Sequence, residues 1–272
     1  MTDISGKTVW ITGASSGIGR ALAQVFSEHG ANIILSGRRV SALESVANGL
    51  SSEALVFPFE ATEFESLASI VPVAWNWKGR VDILINNAGV SQRSLAIDTD
   101  PQVYANLIDI DLVAPIWLTQ LNLKRMADAG GGHIVAISSV AGRLGAPMRT
   151  AYCAAKHGLI GYMDALRSEV AAVHNIQVTN VLPGSVATDV SRNAFTADGS
   201  SRGKSDANIE GGDDPIDCAN AILDAVKNDV PELIYAKGVE LEYAKIRHAN
   251  PDQYFTLSAQ LGAQIAQHGL PE

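Results

Sequence analysis

Short apolar runs alternate with stretches of helical periodicity along nearly the whole chain, and this rhythm limits the possible folds more than any other feature. The runs are Thr8–Thr12, Asn32–Leu35, Ala54–Phe59, Val81–Ile85, His133–Ser138 and Gln177–Leu182, with a shorter one near Leu233–Tyr235. They are continuously apolar, as strands of a parallel sheet must be when helices cover both faces. The first intervening segment places Ile18, Ala21, Leu22, Val25 and Phe26 at i, i+3, i+4, i+7 and i+8, and Gly30 ends it. Strand–helix alternation repeated this often predicts an α/β fold: a doubly wound parallel sheet with helices on both faces. With 272 residues, no internal repeat and no linker, a single domain spanning residues 1–272 is expected.

A formal net charge of −9 argues against a nucleic-acid or anionic-membrane surface. The two cysteines, Cys153 and Cys218, stand at no disulfide-framework or metal-ligand spacing, so no metal site is expected and a reduced, cytoplasmic setting is the simplest inference. Met1 to Lys7 lacks the apolar core of a signal peptide. No apolar run approaches the roughly 18 residues of a membrane span.

Two segments depart from the rhythm. Residues 190–215 carry Gly199, Gly203, Gly211 and Gly212 among Asp and Ser residues, without sustained periodicity. A connection this long is either a mobile substrate lid or an inert flexible loop. Residues 238–272 form a partly amphipathic C-terminal extension, in which Phe255, Leu257, Leu261 and Ile265 are apolar enough to pack on the body or on another subunit.

Between the first strand and the first helix runs Thr12-Gly13-Ala14-Ser15-Ser16-Gly17-Ile18-Gly19, a G-x-x-x-G-x-G spacing. Such a turn lets backbone pass close to a pyrophosphate and aims the free N–H groups of a helix N-terminus at it. Ser15 and Ser16 add hydroxyl donors. At the end of the second strand, where an NAD site usually carries an acid, the sequence reads Ser36-Gly37-Arg38-Arg39. Ser41 and Glu44 have capping-box spacing, so a helix is expected to start directly after the arginines. Cations beside a helix N-terminus are unfavourable by up to about 1 kcal/mol each, and a bound 2′-phosphate reverses that sign. NADP(H) is therefore the predicted cofactor.

Tyr152 and Lys156 share one helix face at i, i+4, downstream of Ser138-Ser139. A phenol in water holds its proton to about pH 10, and a nearby ammonium favours the phenolate. That pair suits a proton transfer accompanying hydride transfer at a carbonyl, and a serine hydroxyl helps polarise the carbonyl oxygen. His133, His157 and His174 are read as non-catalytic. As a set, the glycine run, Asn86-Asn87-Ala88-Gly89, Ser139, Tyr152-Cys153-Ala154-Ala155-Lys156 and Pro183-Gly184 followed by Thr188 resemble the short-chain dehydrogenase/reductase family, over residues 5 to 240. The resemblance implies a Rossmann-like sheet of seven strands and catalytic Ser139, Tyr152 and Lys156. It also implies cofactor contacts from Gly13, Ser15, Ser16, Gly17, Ile18, Gly19, Arg38, Arg39, Glu60, Ala61, Asn87, Ala88 and Gly89. Tyr152 and Lys156 join that set, with Pro183, Gly184, Val186 and Thr188 at the nicotinamide end.

One position departs from the family pattern. Where most members carry a catalytic asparagine in an N-x-x-G run, this chain has Asp111-Leu112-Val113-Ala114. The asparagine helps hold a water that relays protons to the lysine. A carboxylate can still accept from water, but its charge opposes the field of Lys156. At roughly 6 Å and an effective dielectric near 20 the two charges interact at about 2–3 kcal/mol. Asp111 is thus counted with the catalytic residues, and alcohol oxidation is expected to need a higher pH; a protonated, neutral Asp111 is the other possibility.

The expected pocket draws on Val90 to Arg93, Leu144 to Arg149 and Phe195, apolar side chains mixed with arginines. It suits an apolar or aromatic carbonyl substrate or the matching alcohol, and Pro147 to Tyr152 with Asn193 to Ser200 resembles a branch of broad carbonyl reductases. The expected activity is NADP(H)-dependent interconversion of a ketone or aldehyde and an alcohol. A dedicated secondary-alcohol dehydrogenase and a low-turnover NADP(H)-binding sensor are the alternatives. Family members are often dimers or tetramers, so a homodimer or homotetramer is expected.

Overall fold

Neighbouring residues of each apolar run face opposite sides of one sheet, and both sides are buried. In β1 (Thr8–Thr12), Val9 and Ile11 join one core while Trp10 joins the other. The same split separates Ile33 and Leu35 from Ile34 in β2 (Asn32–Ser36). It also separates Ile83 and Ile85 from Leu84 in β4 (Ile83–Asn86). With β3 (Ala54–Val56), β5 (Gly132–Ile137), β6 (Ile176–Pro183) and β7 (Glu232–Tyr235) these make a seven-stranded, all-parallel, Rossmann-like sheet of order β3-β2-β1-β4-β5-β6-β7. This computed structural model describes residues 3–269. The outermost residues of the expected 1–272 domain, of the Met1–Lys7 segment and of the 238–272 extension lie outside the described residues.

One face is covered by α1 (Gly17–Glu28), α2 (Val40–Asn48) and α8 (Pro215–Lys227), whose Leu22, Phe26, Leu43 and Ile222 are fully buried against it. The other carries α3 (Phe64–Lys78), α5 (Ala114–Asp128) and α6 (Thr150–His174), which contribute Leu67, Leu118 and Met163. A short helix, α4 (Pro101–Ile108), runs through a π-helical turn, Asp109–Val113, into α5.

Several boundaries differ from expectation for identifiable reasons. β3 stops at Val56 rather than Phe59: Val56 pairs with Leu35, one residue before β2 itself ends at Ser36. Beyond it Phe57 N still donates to Leu35 O at 2.9 Å and Phe59 N to Gly37 O at 3.2 Å, and both rings pack on Trp10 with centroids 6.1 Å away. The Ser41–Glu44 capping box does not form. α2 begins at Val40 with Arg39 as N-cap and no side-chain cap, which leaves Ser41 inside the first turn. Gly30 follows the end of α1 with φ +81, a left-handed turn that glycine adopts without strain.

The irregular segment is more structured than its composition suggests. Phe195 bridges to Gln92 and to Ser201, Ser191 and Ala194 are fully buried, and a four-residue helix, α7 (Ala207–Glu210), follows. The extension folds as two helices, α9 (Gly238–Ala249) and α10 (Pro251–His268), packed on the body. The Tyr254 hydroxyl donates to Gly145 O at 2.5 Å and Ile265 is buried, whereas Phe255 remains exposed. Among the described residues no helix is long and apolar enough to cross a membrane.

Candidate active site

After β1 the chain turns away through β2 and β3, then returns to lay β4 along the other side of β1. Loops leaving β1 and β4 therefore diverge at the carboxyl ends of the strands, and the crevice between them is where doubly wound sheets take ligands. Thr12 and Asn87 lock its floor. Thr12 Oγ1 accepts from the backbone N–H groups of Asn87 and Ala88, both at 3.0 Å, while Asn87 Nδ2 donates to Thr12 O at 2.9 Å and Gly13 O at 3.3 Å.

The glycine run is packed so tightly that side chains are excluded. A Cβ on Gly19 would lie 2.3 Å from Gly13 O, and one on Gly13, itself at φ +65, 2.8 Å from Ala88 Cα. Gly17 has φ +52 and would press a Cβ to 3.0 Å from Thr188 Cγ2, which brings the sequence-predicted Thr188 against the loop. Ser16 is the N-cap of α1, yet its side chain caps nothing. The first N–H groups of α1, from Gly17, Ile18 and Gly19, have no intrahelical acceptor, as at the N-terminus of any α-helix, and such groups suit an anion. This cradle fits an extended, phosphate-bearing dinucleotide.

Arg39 Nη2 donates to Ser15 Oγ at 2.9 Å and to Ser16 Oγ at 3.0 Å, which joins the second-strand arginines to the glycine loop. Arg38, exposed, lies 3.6 Å from Glu60 Oε2, whose other oxygen accepts from Thr62. Ala61 follows Glu60 in the turn after β3. At the opposite end Pro183 O accepts from Ser139 Oγ at 3.3 Å. A Cβ on Gly184 would meet Glu240 Oε2 at 2.3 Å, and buried Val186 bridges to Asp213.

Tyr152 sits in the first turn of α6 and Lys156 one turn later, with Nζ 5.6 Å from the Tyr152 ring centre. Lys156 is buried; its Nζ donates to Ile137 O at 3.0 Å and lies 3.1 Å from Asp111 Oδ2. The expected separation of roughly 6 Å is therefore replaced by direct contact. Asp111, fully buried, comes from the π-helical turn, a departure from α geometry that often marks functional positions. Its Oδ1 accepts from Val90 N at 2.8 Å. Gly89 closes over the pair: a Cβ there would be 3.2 Å from Asp111 and 3.3 Å from Lys156. Burial pushes the Asp111 carboxyl up, an effect the Lys156 charge only partly offsets. Burial pushes the Lys156 ammonium down more than any single neighbour raises it, but the charges of Asp111 and Tyr152 together with the hydrogen bond to Asp111 hold the lysine above its ordinary value.

Ser139 and Tyr152 line one cavity of about 910 Å³. Val140, Leu144 and Pro147 form part of its apolar wall, with Val190 and Ile209 from the irregular segment. Phe195, expected there, is not part of the lining and instead packs with Leu107 and Ala155. Sequence reasoning missed three contributors, Tyr243, Tyr254 and Asp206, and had Gln92 only as part of the Val90–Arg93 stretch. Tyr243 and Tyr254 close the far side from α9 and α10. Asp206 is ion-paired to Arg93 at 2.6 Å across 113 positions. Gln92 Oε1 caps the first turn of α6 by accepting from Ala151 N at 2.8 Å. Only proximity in space joins these residues, so no local spacing announces them. His133, His157 and His174 lie outside the cavity lining, and His133 is buried in β5. Among the described residues no cluster of three or more His, Cys, Asp or Glu side chains is placed to hold a metal ion.

A family model described as short chain dehydrogenase matches residues 7–199. The chain is 36% identical over 260 residues to a dehydrogenase/reductase SDR family protein 7-like of Anopheles gambiae, a match that covers 93% of this chain and 82% of the relative. The crystal structure of a short-chain dehydrogenase from Streptomyces avermitilis superposes with a TM-score of 0.79 at 26% identity, over 95% of this chain and 98% of that one. A short chain dehydrogenase/reductase from Burkholderia phymatum, solved in complex with NAD, shares the fold with a TM-score of 0.81 at 20% identity, over 93% of this chain and 96% of that one.

Proposed function

The chain belongs to the short-chain dehydrogenase/reductase family of oxidoreductases, and from that premise we propose that it interconverts a ketone or aldehyde and an alcohol with NADP(H). The observation that carries this reading is the grouping of Ser139 and Tyr152 on the wall of one cavity, with the Lys156 ammonium buried behind the phenol. A bound nicotinamide supplies or accepts the hydride. In reduction Tyr152 gives its proton to the developing alkoxide, and in oxidation it takes the proton of the alcohol. Ser139 Oγ has one proton, here directed at Pro183 O, and turning it toward a substrate oxygen polarises the carbonyl. Lys156 stabilises the phenolate electrostatically and is held in place by Ile137 O and Asp111.

Support for NADP(H) over NAD(H) comes from the rim of the cradle. The two arginines there are exposed, and the nearby acid, Glu60, faces Arg38. Guanidinium forks suit a 2′-phosphate. The relative from Burkholderia phymatum was solved with NAD, so the choice needs its own test. Replacing Arg38 and Arg39 together by Ala is expected to raise the Michaelis constant for NADPH about 10- to 100-fold and to leave that for NADH nearly unchanged. Equal Michaelis constants for the two cofactors in the unaltered protein would refute the preference. The reaction class is tested with NADPH deuterated at the transferable position. Deuterium on the carbinol carbon of the product is expected, and a product without it overturns the reading.

The same reading includes a cytoplasmic setting and a homodimer or homotetramer. Two free, buried cysteines support the former. An outward-facing Trp117, stacked on Phe64 with ring centroids 5.4 Å apart and 41% exposed, supports the latter.

A further inference from the structure

The cavity is apolar along most of its wall but ends, beside α6, in Arg93, Arg149 and Asp206. Three guanidinium groups share one carboxylate there. Asp206 Oδ2 takes both Nε and Nη2 of Arg93 at 2.6 Å, and Oδ1 takes Arg202. Arg93 spends its remaining side on Ser91 Oγ at 2.7 Å and Gln92 O at 2.6 Å. Burial, then the neighbouring Arg149, pushes the Arg93 guanidinium down to about 10, which leaves it cationic at neutral pH. Arg149 is different. Among the described residues its one side-chain hydrogen bond or ion pair is a 3.4 Å approach to the Asp206 oxygen that Arg93 already holds more closely.

Nothing local accounts for Arg149. The first turn of α6 is capped by Gln92, so the arginine is not needed there. Met148, immediately before it, adopts φ +62, a left-handed conformation that is strained for a side-chain-bearing residue and sets where Arg149 enters the cavity. The other charged side chains lining the cavity have close partners of their own. Lys237 pairs with Asp213 at 2.6 Å, and Glu240 accepts from Ser185 N at 2.7 Å and Ser185 Oγ at 2.8 Å. The surplus donors facing the cavity therefore belong to Arg149, three positions before Tyr152.

We propose that the carbonyl substrate bears an oxyanion, a carboxylate or a phosphate, seated on Arg149, with its apolar body along Leu144, Pro147, Val190 and Leu261. This rests on the redox reading above and narrows its substrate class. A planar guanidinium with free donors in a largely apolar cavity matches either oxyanion through paired hydrogen bonds.

The test uses 4-acetylbenzoate, its methyl ester and 4-acetylphenyl phosphate, measured as ketone reduction with NADPH. Calorimetric binding in the presence of NADP⁺, where no hydride is available, runs in parallel. At least one of the two anions is expected to exceed the ester in kcat/KM and in affinity by about 10- to 100-fold. Arg149→Gln should collapse that ratio toward one, and Arg149→Lys, which keeps the charge but not the fork, should restore part of it. Which anion gains more distinguishes carboxylate from phosphate. Arg149-dependent selectivity in binding without any turnover would sink the redox reading and leave the anion site standing. An unchanged ratio in Arg149→Gln, parity of ester and anions, or no binding of any of the three would overturn the anion site.

Discussion

Lys156 answers to two groups at once, a phenol it must polarise and a carboxylate that offsets its charge at 3.1 Å. Because Asp111 touches the ammonium, it weakens the field Tyr152 feels. Replacing Asp111 by Asn removes one buried negative charge and keeps an oxygen for the Val90 N–H. The phenolate is then favoured, so the pH midpoint of alcohol oxidation should move downward by about one unit or more. A solvent-independent deuteride isotope effect would establish that chemistry limits the rate; an unmoved midpoint under that condition contradicts the account. At this scale much was legible. Tyr152 and Lys156 announce themselves by i, i+4 spacing, and Asp111 by standing where an asparagine is usual. The contact distance was not legible, because a π-helical turn leaves no signature in a pattern read at 3.6 residues per turn.

At the scale of single elements, β5 carries a buried histidine whose protonation is tied to folding. His133 Nε2 lies 2.8 Å from Thr179 Oγ1, and that hydroxyl gives its own proton to Val230 O, so Nε2 is the donor. Burial, partly offset by Asp229, pushes His133 from its ordinary 6.5 down to about 4. The unfolded chain takes up the proton first as pH falls. The contribution to stability is therefore complete above pH 6.5 and is lost as pH falls through the window toward 4. The loss is about 3 kcal/mol at most. Urea unfolding of the wild type and of His133→Gln at neutral and acidic pH should show the wild type losing more stability by up to that amount; parallel losses contradict it. Element types were readable because continuous apolar runs and amphipathic periodicity differ in kind. Ends were less so: β3 stops with its partner strand, short of the end of its own apolar run, and the Ser41–Glu44 spacing suggested a cap that α2 does not use.

Across the whole molecule, the sheet order separates two jobs. The cradle for a dinucleotide is built at the β1–β4 switch point, whereas the substrate side is closed by parts distant in sequence, the 190–215 segment and helices α9 and α10. α10 supplies Tyr254, Ser258, Leu261 and Ile265 to the cavity and nothing to the glycine cradle. Removing residues 251–272 should accordingly raise the Michaelis constant for a carbonyl substrate about 10-fold or more while leaving NADPH affinity within about a factor of two. Equal weakening of both would show that α10 supports the entire fold instead. The doubly wound architecture was legible from strand–helix alternation alone. The cavity wall was not, since ion pairs such as Arg93–Asp206 join residues 113 positions apart.

The role of Tyr152 as proton donor to a carbonyl is measured most directly by NADPH consumption over a ketone and aldehyde panel by the wild type and by Tyr152→Phe, with NADPH binding followed separately. Turnover by the wild type is expected, with a fall of about 10²- to 10⁴-fold in kcat for the variant and nearly equal NADPH binding by both. Undiminished turnover by Tyr152→Phe would contradict that role, as would a wild type that binds NADPH tightly and reduces nothing, the behaviour of a cofactor-binding sensor.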